Sequence, residues 1–196
     1  MIAVERELSR GGDIFLSKIC WFTISDKYVY YSLNTDTIEF MTKVDIPGLD
    51  TLEFEHFVTD FSGTLSEDGK IITGVRERLN ELVSQLQIHV LTSDTFGRAE
   101  KELEGIDCTL HVLQGKGHTI QKEAYVRKLG VDRVVALGNG NNDVLMVKAA
   151  KLGIAVSLKE GCSVETLKAA NILVMSPVDA IDLLLHPKRL IATLRV

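Results

Sequence analysis

From about residue 52 onward, short apolar runs alternate with stretches whose apolar residues recur at three- and four-residue spacing. The runs are apolar almost throughout, which is typical of strands buried on both faces of a sheet. Regular strand–helix alternation predicts a doubly wound α/β fold, a three-layer sandwich around a mainly parallel sheet. We expect Gly105, Gly130 and Gly153 to end three of the helices. The runs are LEFEHFVTDF, IHVLTS, TLHVLQ, VVALG, GIAVSL and NILVM.

Residues 1–45 have a different pattern. Three runs rich in aromatic and β-branched residues, KICWFTI, KYVYYSL and TIEFMTKV, are separated by short turn-forming segments, which predicts an antiparallel β meander. The letters IPG at 46–48 then break the chain. We therefore expect an N-terminal β extension over 1–45 and a main α/β domain over 46–196. The meander could cover a sheet edge or pair with another subunit, and the sequence leaves both open.

Charge and hydropathy exclude several classes of partner. The formal net charge is −5, whereas non-specific nucleic-acid binding needs a basic face, so no nucleic-acid partner is expected. The N-terminus lacks the apolar run of a signal peptide, and no segment is long enough to span a membrane. We therefore expect a cytoplasmic protein with no membrane partner.

Polar residues follow successive strands of the predicted sheet, where parallel α/β folds bind their ligands. An aspartate in such a place can attack phosphorus and form an aspartyl-phosphate. Carboxylates and a substrate phosphate together bind Mg²⁺, while hydroxyls and an ammonium group stabilise the charge on the phosphoryl oxygens. The polar residues at these strand ends therefore indicate a phosphoryl-transfer site. They are Asp60, Ser62, Gly63 and Thr64 after the first run, Thr92, Ser93 and Asp94 after the second, Lys122 in the helix after the third, and GNGNND at 138–143 after the fourth.

Each piece alone has a simpler explanation. The segment after Asp60 could be only a turn, and Thr92 and Ser93 could only cap the next helix. Lys122 could lie on a solvated helix face, and GNGNND could be a glycine turn with an aspartate near the start of a helix. The GNGNND segment also suggests a dinucleotide site, because Glu160 follows about 20 residues later. That interpretation fails because Asp143 occupies the third glycine position of the motif, where a carboxylate would repel pyrophosphate. All four pieces occur in order on four successive strand–helix units, and this combination favours the phosphoryl-transfer site.

These motifs resemble those of the haloacid dehalogenase superfamily of phosphohydrolases. The family's D-x-D-G-T corresponds to DFSGT at 60–64, its strand-end Thr or Ser to Thr92, its Lys to Lys122, and its G-D-G-x-N-D to GNGNND at 138–143. The resemblance covers roughly residues 44–196. Within the superfamily the chain looks most like the soluble phosphatases related to P-type ATPases. P-type ATPases themselves carry D-K-T-G-T and T-G-D where this chain has DFSGT and TSD.

The resemblance implies a haloacid dehalogenase-like Rossmannoid catalytic domain over 46–196, Mg²⁺ as cofactor and a phosphorylated small molecule or phosphoprotein as substrate. Asp60 would be the nucleophile, and the Ser62 carbonyl would be one of the Mg²⁺ ligands. Asn142 would help to orient the site. The implied catalytic residues are Asp60, Ser62, Thr92 and Lys122, the phosphate ligands are Gly63, Thr92, Ser93 and Lys122, and the metal ligands are Asp60, Ser62, Asn139 and Asp143.

Two departures from the family pattern change the expected activity. Ser62 stands where an acid/base aspartate is usual, and a serine hydroxyl protonates a poor leaving group inefficiently near pH 7. Asn139 replaces an acid, which leaves fewer negative charges around the metal. We therefore expect weaker Mg²⁺ binding and slow turnover of alkyl phosphates. Acyl phosphates, phosphoanhydrides and aryl phosphates should react faster.

The spacing of the motifs leaves no room for a cap domain. Between Thr64 and Thr92 there is space for a short flap and one helix, and between Ser93 and Lys122 for one α/β unit. An uncapped site stays open unless another subunit covers it, so we expect a homo-oligomer or a macromolecular substrate. The leading hypothesis is a Mg²⁺-dependent phosphohydrolase. The alternatives are a catalytically degenerate binding or regulatory oligomer, and a tetrameric sugar-phosphate phosphatase whose neighbour serves as the cap.

Overall fold

The computed structural model describes residues 18–24, 27–34, 37–38, 41–94 and 97–196. Before residue 41 the description is of the backbone alone. The first 17 residues of the predicted N-terminal extension lie outside these ranges.

Strands and helices are numbered separately along the chain. The strands are β1 (Lys18–Ile24), β2 (Lys27–Asn34), β3 (Thr37–Ile38), β4 (Thr42–Val44), β5 (Leu52–Phe54), β6 (His56–Asp60), β7 (Ser66–Glu67), β8 (Lys70–Ile71), β9 (Gln87–Thr92), β10 (Thr109–Val112), β11 (Val134–Gly138), β12 (Leu152–Val156) and β13 (Ile172–Val174). The α-helices are α1 (Val75–Leu82), α2 (Arg98–Glu102), α3 (His118–Leu129), α4 (Val144–Ala149), α5 (Val164–Ala169), α6 (Pro177–Leu185) and α7 (Pro187–Leu194). Short 3-10 turns cover Val131–Arg133 and Asn141–Asp143. Within the described ranges, no helix is both long and apolar enough to cross a bilayer.

Six parallel strands form the central sheet, in the order β10–β9–β6–β11–β12–β13. The chain enters at β6, moves outward through β9 to β10, and returns to the other side of β6 at β11. The direction of winding therefore reverses beside β6, and such a reversal opens a crevice at the carboxyl ends of the strands. The predicted doubly wound, mainly parallel sheet is confirmed.

Helices cover both faces of this sheet. Phe57 belongs to a core cluster that includes Leu79 of α1 and Ile181 of α6. Its neighbour Val58 belongs to a second cluster, with Val126 of α3 among its members. Successive side chains of a strand point to opposite faces, so β6 is buried on both sides. The helices and the sheet make the three layers expected from the sequence.

The N-terminal part forms a small antiparallel sheet, with β1, β2, β4 and β5 in that order and β3 beside β2. The predicted antiparallel meander is confirmed, and it recruits β5 from beyond residue 45. The apolar run 52–61 is therefore divided between two sheets at Glu55. The Glu55 N–H donates to the Arg133 carbonyl and its own carbonyl accepts from the Gln87 N–H, both at 2.9 Å. The domain boundary at residue 45 stays a prediction.

The two segments where a cap could be inserted are short in the described part of the chain. After β6 the chain makes only the hairpin of β7 and β8 before α1, and α2 is the helix that connects β9 to β10. In these described residues there is no inserted cap domain, as the motif spacing predicts.

A chain of three hydrogen-bonding rings, two buried histidines and the half-buried Tyr125, connects the sheet to α3. His56 Nδ1 is 3.1 Å from His89 Nε2, and His89 Nδ1 is 3.0 Å from the Tyr125 hydroxyl. Burial, and secondarily the nearby His56, lower the pKa of His89 from its ordinary value of 6.5 to about 4. His89 is only 6% exposed, so its neutral form is part of the folded core.

We expect His89 to make the protein less stable in mild acid. Between pH 6.5 and 4 the unfolded chain binds a proton at His89 that the folded chain does not, so the stability falls as the pH falls through this window. From pH 7 to 5 the loss is about 2 kcal/mol. Urea unfolding of wild type and His89→Gln at several pH values measures the contribution of His89 together with its effect on the neighbouring His56. Parallel pH curves for the two proteins would contradict it.

Candidate active site

The motif residues converge at the carboxyl ends of the central strands. Asp60 is the last residue of β6 and Thr92 is the last residue of β9. The parallel register places Leu137 of β11 opposite Thr59, so the loop after Gly138 begins beside Asp60. These are the strand ends at the point where the winding reverses. The fold thus brings together the parts that the sequence separates widely.

Lys122 joins two of these strand ends. Its Nζ is 2.5 Å from Asp60 Oδ1 and 2.6 Å from Asp143 Oδ1. Lys122 and Asp143 are completely buried, and Asp60 is 6% exposed. The helix α3 crosses from one half of the sheet to the other, and Lys122 projects from its first half into the crevice. A lysine with two carboxylate partners is therefore built into the interior.

The charges of this cluster do not balance, since two carboxylates share one ammonium group. Burial, and then the charge of Asp143, raise the pKa of Asp60 to about 7, although Lys122 acts in the other direction. Burial lowers the pKa of Lys122, but its attraction to Asp60 and Asp143 outweighs this, so the pKa lies above its ordinary value. A cation that reached Asp60 and Asp143 would relieve their mutual repulsion.

The loop after β11 fixes the orientation of Asp143. Its Oδ2 accepts hydrogen bonds from the backbone N–H groups of Asn139 at 3.0 Å and Gly140 at 2.9 Å. The carboxylate folds back over Gly138, where an added Cβ would lie 2.6 Å from the Asp143 Cβ. Only glycine leaves room for this approach. Gly138 is thus a required part of the site that sequence reasoning did not single out.

Asn139 links three loops of the site. Its Oδ1 accepts from the Thr64 hydroxyl at 3.0 Å, and its Nδ2 donates to the Gly161 carbonyl at 3.2 Å. Its backbone carbonyl accepts from the Ser163 N–H at 2.8 Å. Asn139 therefore connects the loops after β6, β11 and β12. Its role as a metal ligand stays a prediction.

The loop after β6 exposes Ser62 and buries its neighbours Gly63 and Thr64. Gly63 has a φ of +72°, a conformation that glycine adopts without strain. A Cβ at Gly63 would also lie 2.7 Å from Asn139 Nδ2. The glycine therefore permits both the turn and the close approach of the β11 loop, and it leaves Ser62 at the rim.

Thr92 is buried and lies on the strand next to Asp60. Its Oγ1 accepts from the Asp94 N–H at 3.1 Å, so its own proton remains to be donated to a ligand. The carboxylate of Asp94 accepts from the Ala99 N–H at 2.7 Å in the first turn of α2. Asp94 thus caps the helix, the role that one alternative gave to Thr92. Ser93 between them is exposed.

Two further polar residues lie beside the loop that carries Asp143. Asn142 lies half-buried in the 3-10 turn, close against Gly140. Thr166 of α5 is fully buried and donates from its hydroxyl to the Gly140 carbonyl at 2.6 Å. Nothing in the local sequence distinguishes Thr166 from other threonines, because its partner lies 26 residues earlier in the chain.

The donor set suits a hard cation. The two aspartate carboxylates offer only oxygen atoms, and Mg²⁺ typically uses one or two carboxylates while keeping several waters. Asp60 and Asp143 both contact one positive group, the Lys122 ammonium. Among the described residues, no group of three or more His, Cys, Asp or Glu side chains lies close enough together to hold a metal ion.

Comparison with protein families gives a match over most of the chain. The family model for haloacid dehalogenase-like hydrolases matches residues 18–171, a span that begins within the antiparallel sheet and includes all four motifs. Among curated proteins, the uncharacterized protein MJ0073 of Methanocaldococcus jannaschii is 48% identical over 63 residues, which cover 32% of this chain and 68% of that protein.

Solved structures share the fold at low sequence identity. The 3-deoxy-D-manno-octulosonate 8-phosphate phosphatase of Moraxella catarrhalis, in complex with magnesium, phosphate and KDO, superposes with a TM-score of 0.57 at 18% identity, covering 72% of this chain and 94% of that one. The cobalt-bound deoxy-D-mannose-octulosonate 8-phosphate phosphatase of Haemophilus influenzae gives a TM-score of 0.57 at 12% identity, with coverages of 73% and 94%.

Proposed function

The chain belongs to the haloacid dehalogenase-like hydrolases, and we propose that it is a Mg²⁺-dependent phosphohydrolase in which Asp60 is the nucleophile. One observation carries this proposal: Asp60 and Asp143, from two neighbouring strand ends, contact the same buried Lys122. A purely structural ion pair needs one carboxylate. The surplus carboxylate is costly unless a cation and an anionic substrate complete the charge balance.

Each residue of the cluster has a distinct part in the proposed reaction. Asp60 attacks phosphorus from the open side of the crevice, and water then cleaves the aspartyl-phosphate. Lys122 and the hydroxyl of Thr92 hold the phosphoryl oxygens, where negative charge is spread in the transition state. Asp60, the Ser62 carbonyl and Asp143 would hold Mg²⁺, which supplies further neutralisation of the phosphoryl charge. Asn139 and Gly138 keep Asp143 in position.

The substrate class follows from the open rim and from Ser62. The structural neighbours named above act on a sugar phosphate, and we propose phosphorylated small molecules for this chain also. A phosphoprotein substrate or a homo-oligomer in which a second subunit covers the rim is compatible with the absence of a cap in the described residues. Since Ser62 is a poor proton donor, substrates with good leaving groups should be preferred.

The proposal is tested by initial rates on acetyl phosphate, p-nitrophenyl phosphate, glycerol 2-phosphate and KDO 8-phosphate, with Mg²⁺ and with EDTA. We expect activity only with the metal. The kcat for the acyl and aryl phosphates should exceed the kcat for the alkyl phosphates by at least about tenfold. Equal rates with Mg²⁺ and EDTA would contradict the metal requirement, and equal rates on all substrates would contradict the leaving-group preference.

Ser62 also favours one alternative, a binding protein that does not turn over. The variant Ser62→Asp distinguishes the two. If the wild type is a working enzyme, Ser62→Asp should raise its rate on glycerol 2-phosphate modestly and its rate on acetyl phosphate very little. A wild type without activity on any substrate, together with an active Ser62→Asp variant, would establish the degenerate binding protein instead.

A further inference from the structure

Glu160 lies at the rim of the site, on the turn after β12. This turn is closed by a hydrogen bond from the Gly161 N–H to the Leu158 carbonyl at 2.9 Å. The side chain reaches the loop that follows the nucleophile, because a Cβ added to Gly63 would lie 2.8 Å from Glu160 Oε2. The carboxylate is therefore beside the residue that follows Ser62. Glu160 therefore brings a carboxyl group close to the loop after β6, where the exposed residue Ser62 offers only a hydroxyl.

Polar contacts hold the turn in place, whereas the Glu160 carboxylate itself is free to move. Lys159 Nζ pairs with Glu67 Oε2 of the β7–β8 hairpin at 2.8 Å, and Asn139 Nδ2 donates a hydrogen bond to the Gly161 carbonyl. Glu160 itself is exposed, and among the described residues it has no hydrogen-bond or ion-pair partner. The backbone is thus fixed against the site, whereas the carboxylate can turn toward a ligand at the rim.

Three other carboxylates near the crevice already have partners. Asp143 is bonded to Lys122 and to two backbone N–H groups. Glu67 is paired with Lys159, and Asp94 caps α2. Asp60 is required to attack phosphorus. Of these rim and site carboxyl groups, Glu160 is the one available to exchange a proton with a departing group.

We propose that Glu160 is the proton donor to the leaving group when the substrate is an alkyl phosphate. This inference rests on the proposed function of Asp60. As the Asp60 oxygen bonds to phosphorus, the bond from phosphorus to the alkoxide oxygen breaks, and the Glu160 proton passes to that oxygen. The Glu160 carboxylate then takes a proton from the water that attacks phosphorus and releases Asp60. Acyl and aryl leaving groups depart without this proton.

The test compares Glu160→Gln with wild type on three substrates, glycerol 2-phosphate, p-nitrophenyl phosphate and acetyl phosphate. We expect kcat/KM for glycerol 2-phosphate to fall by at least about tenfold, near the lower end of what general acids contribute, while the other two change less than about twofold. The matched control is Glu165→Gln, on α5, where the glutamate pairs with Lys168 in solvent. A uniform change on all three substrates, or none, would overturn the inference.

A second comparison uses the Ser62→Asp background. An aspartate at position 62 would take over the proton transfer, so Glu160→Gln should lose most of its effect there. An undiminished effect in that background would overturn the role. A wild-type protein inactive on all three substrates refutes the proposed function. An enzyme that cleaves the aryl and acyl phosphates, with glycerol 2-phosphate insensitive to Glu160→Gln, refutes only this inference.

Discussion

Asp60→Asn should abolish the hydrolysis of p-nitrophenyl phosphate and acetyl phosphate, with kcat lowered by at least about 10³-fold. The carboxamide has nearly the same shape as the carboxylate but cannot form the acyl-phosphate bond. It also offers less charge to a cation. Steady-state assays at saturating Mg²⁺ measure the loss, and retention of a tenth or more of the wild-type rate would remove Asp60 from the mechanism.

The same variant should remain folded, which separates lost chemistry from lost structure. In Asp60→Asn, Lys122 keeps its ion pair with Asp143, and the repulsion between the two carboxylates disappears. We therefore expect a Tm equal to or above that of wild type in the absence of metal. The matched control is Asp50→Asn, an exposed position ten residues earlier, which should change neither the Tm nor the rate.

The convergence of the strand ends could be predicted because it depends on topology rather than on side-chain detail. In a parallel sheet every strand ends at the same edge, so Asp60, Thr92 and the loop before Asp143 had to lie on one side of the molecule. The motif order along the chain then predicts which residues are close. The described structure has this arrangement. The roles of the individual residues stay predictions.

The burial of Lys122 could not be derived from composition. A lysine in a helix is ordinarily solvated, and α3 contains another lysine, Lys128, that differs from it only in position. Lys122 and Val126 are four residues apart and both are buried, so they share the face of α3 that lies on the sheet. That face is set by how α3 crosses the sheet, a tertiary property. Here the family resemblance supplied what periodicity alone left ambiguous.

The prediction for Gly153 was wrong for a similar reason. We expected it to end a helix, but α4 ends at Ala149 and Gly153 lies inside β12. A Cβ at Gly153 would approach the Val147 side chain to 2.8 Å, so the glycine allows the helix to pack closely on the strand. Glycine serves both purposes, and a local pattern does not distinguish them.

Lys122→Met should cost both stability and activity. The change leaves Asp60 and Asp143 facing each other in the interior without a cation, and removing one partner of a buried ion pair typically costs about 3 kcal/mol or more. The kcat should fall by about 10²- to 10³-fold, because one positive group that stabilises the phosphoryl oxygens is lost. Urea unfolding without metal and steady-state assays with metal measure the two effects. Lys168→Met, at an exposed residue of α5, is the control and should alter neither.

The response to Mg²⁺ shows whether Lys122→Met is destabilised by repulsion between Asp60 and Asp143 or by a simple packing defect. If the two carboxylates form the cation site, Mg²⁺ must compete with Lys122 for them in the wild type but not in Lys122→Met. Saturating Mg²⁺ should therefore raise the Tm of the variant by more than that of wild type, since a ligand stabilises the folded state in proportion to the logarithm of its affinity. Ca²⁺, which favours more ligands and longer bonds, should restore less. An equal Tm increase in both proteins would mean that Lys122 and the metal do not share the carboxylates, and the metal would then have to bind elsewhere.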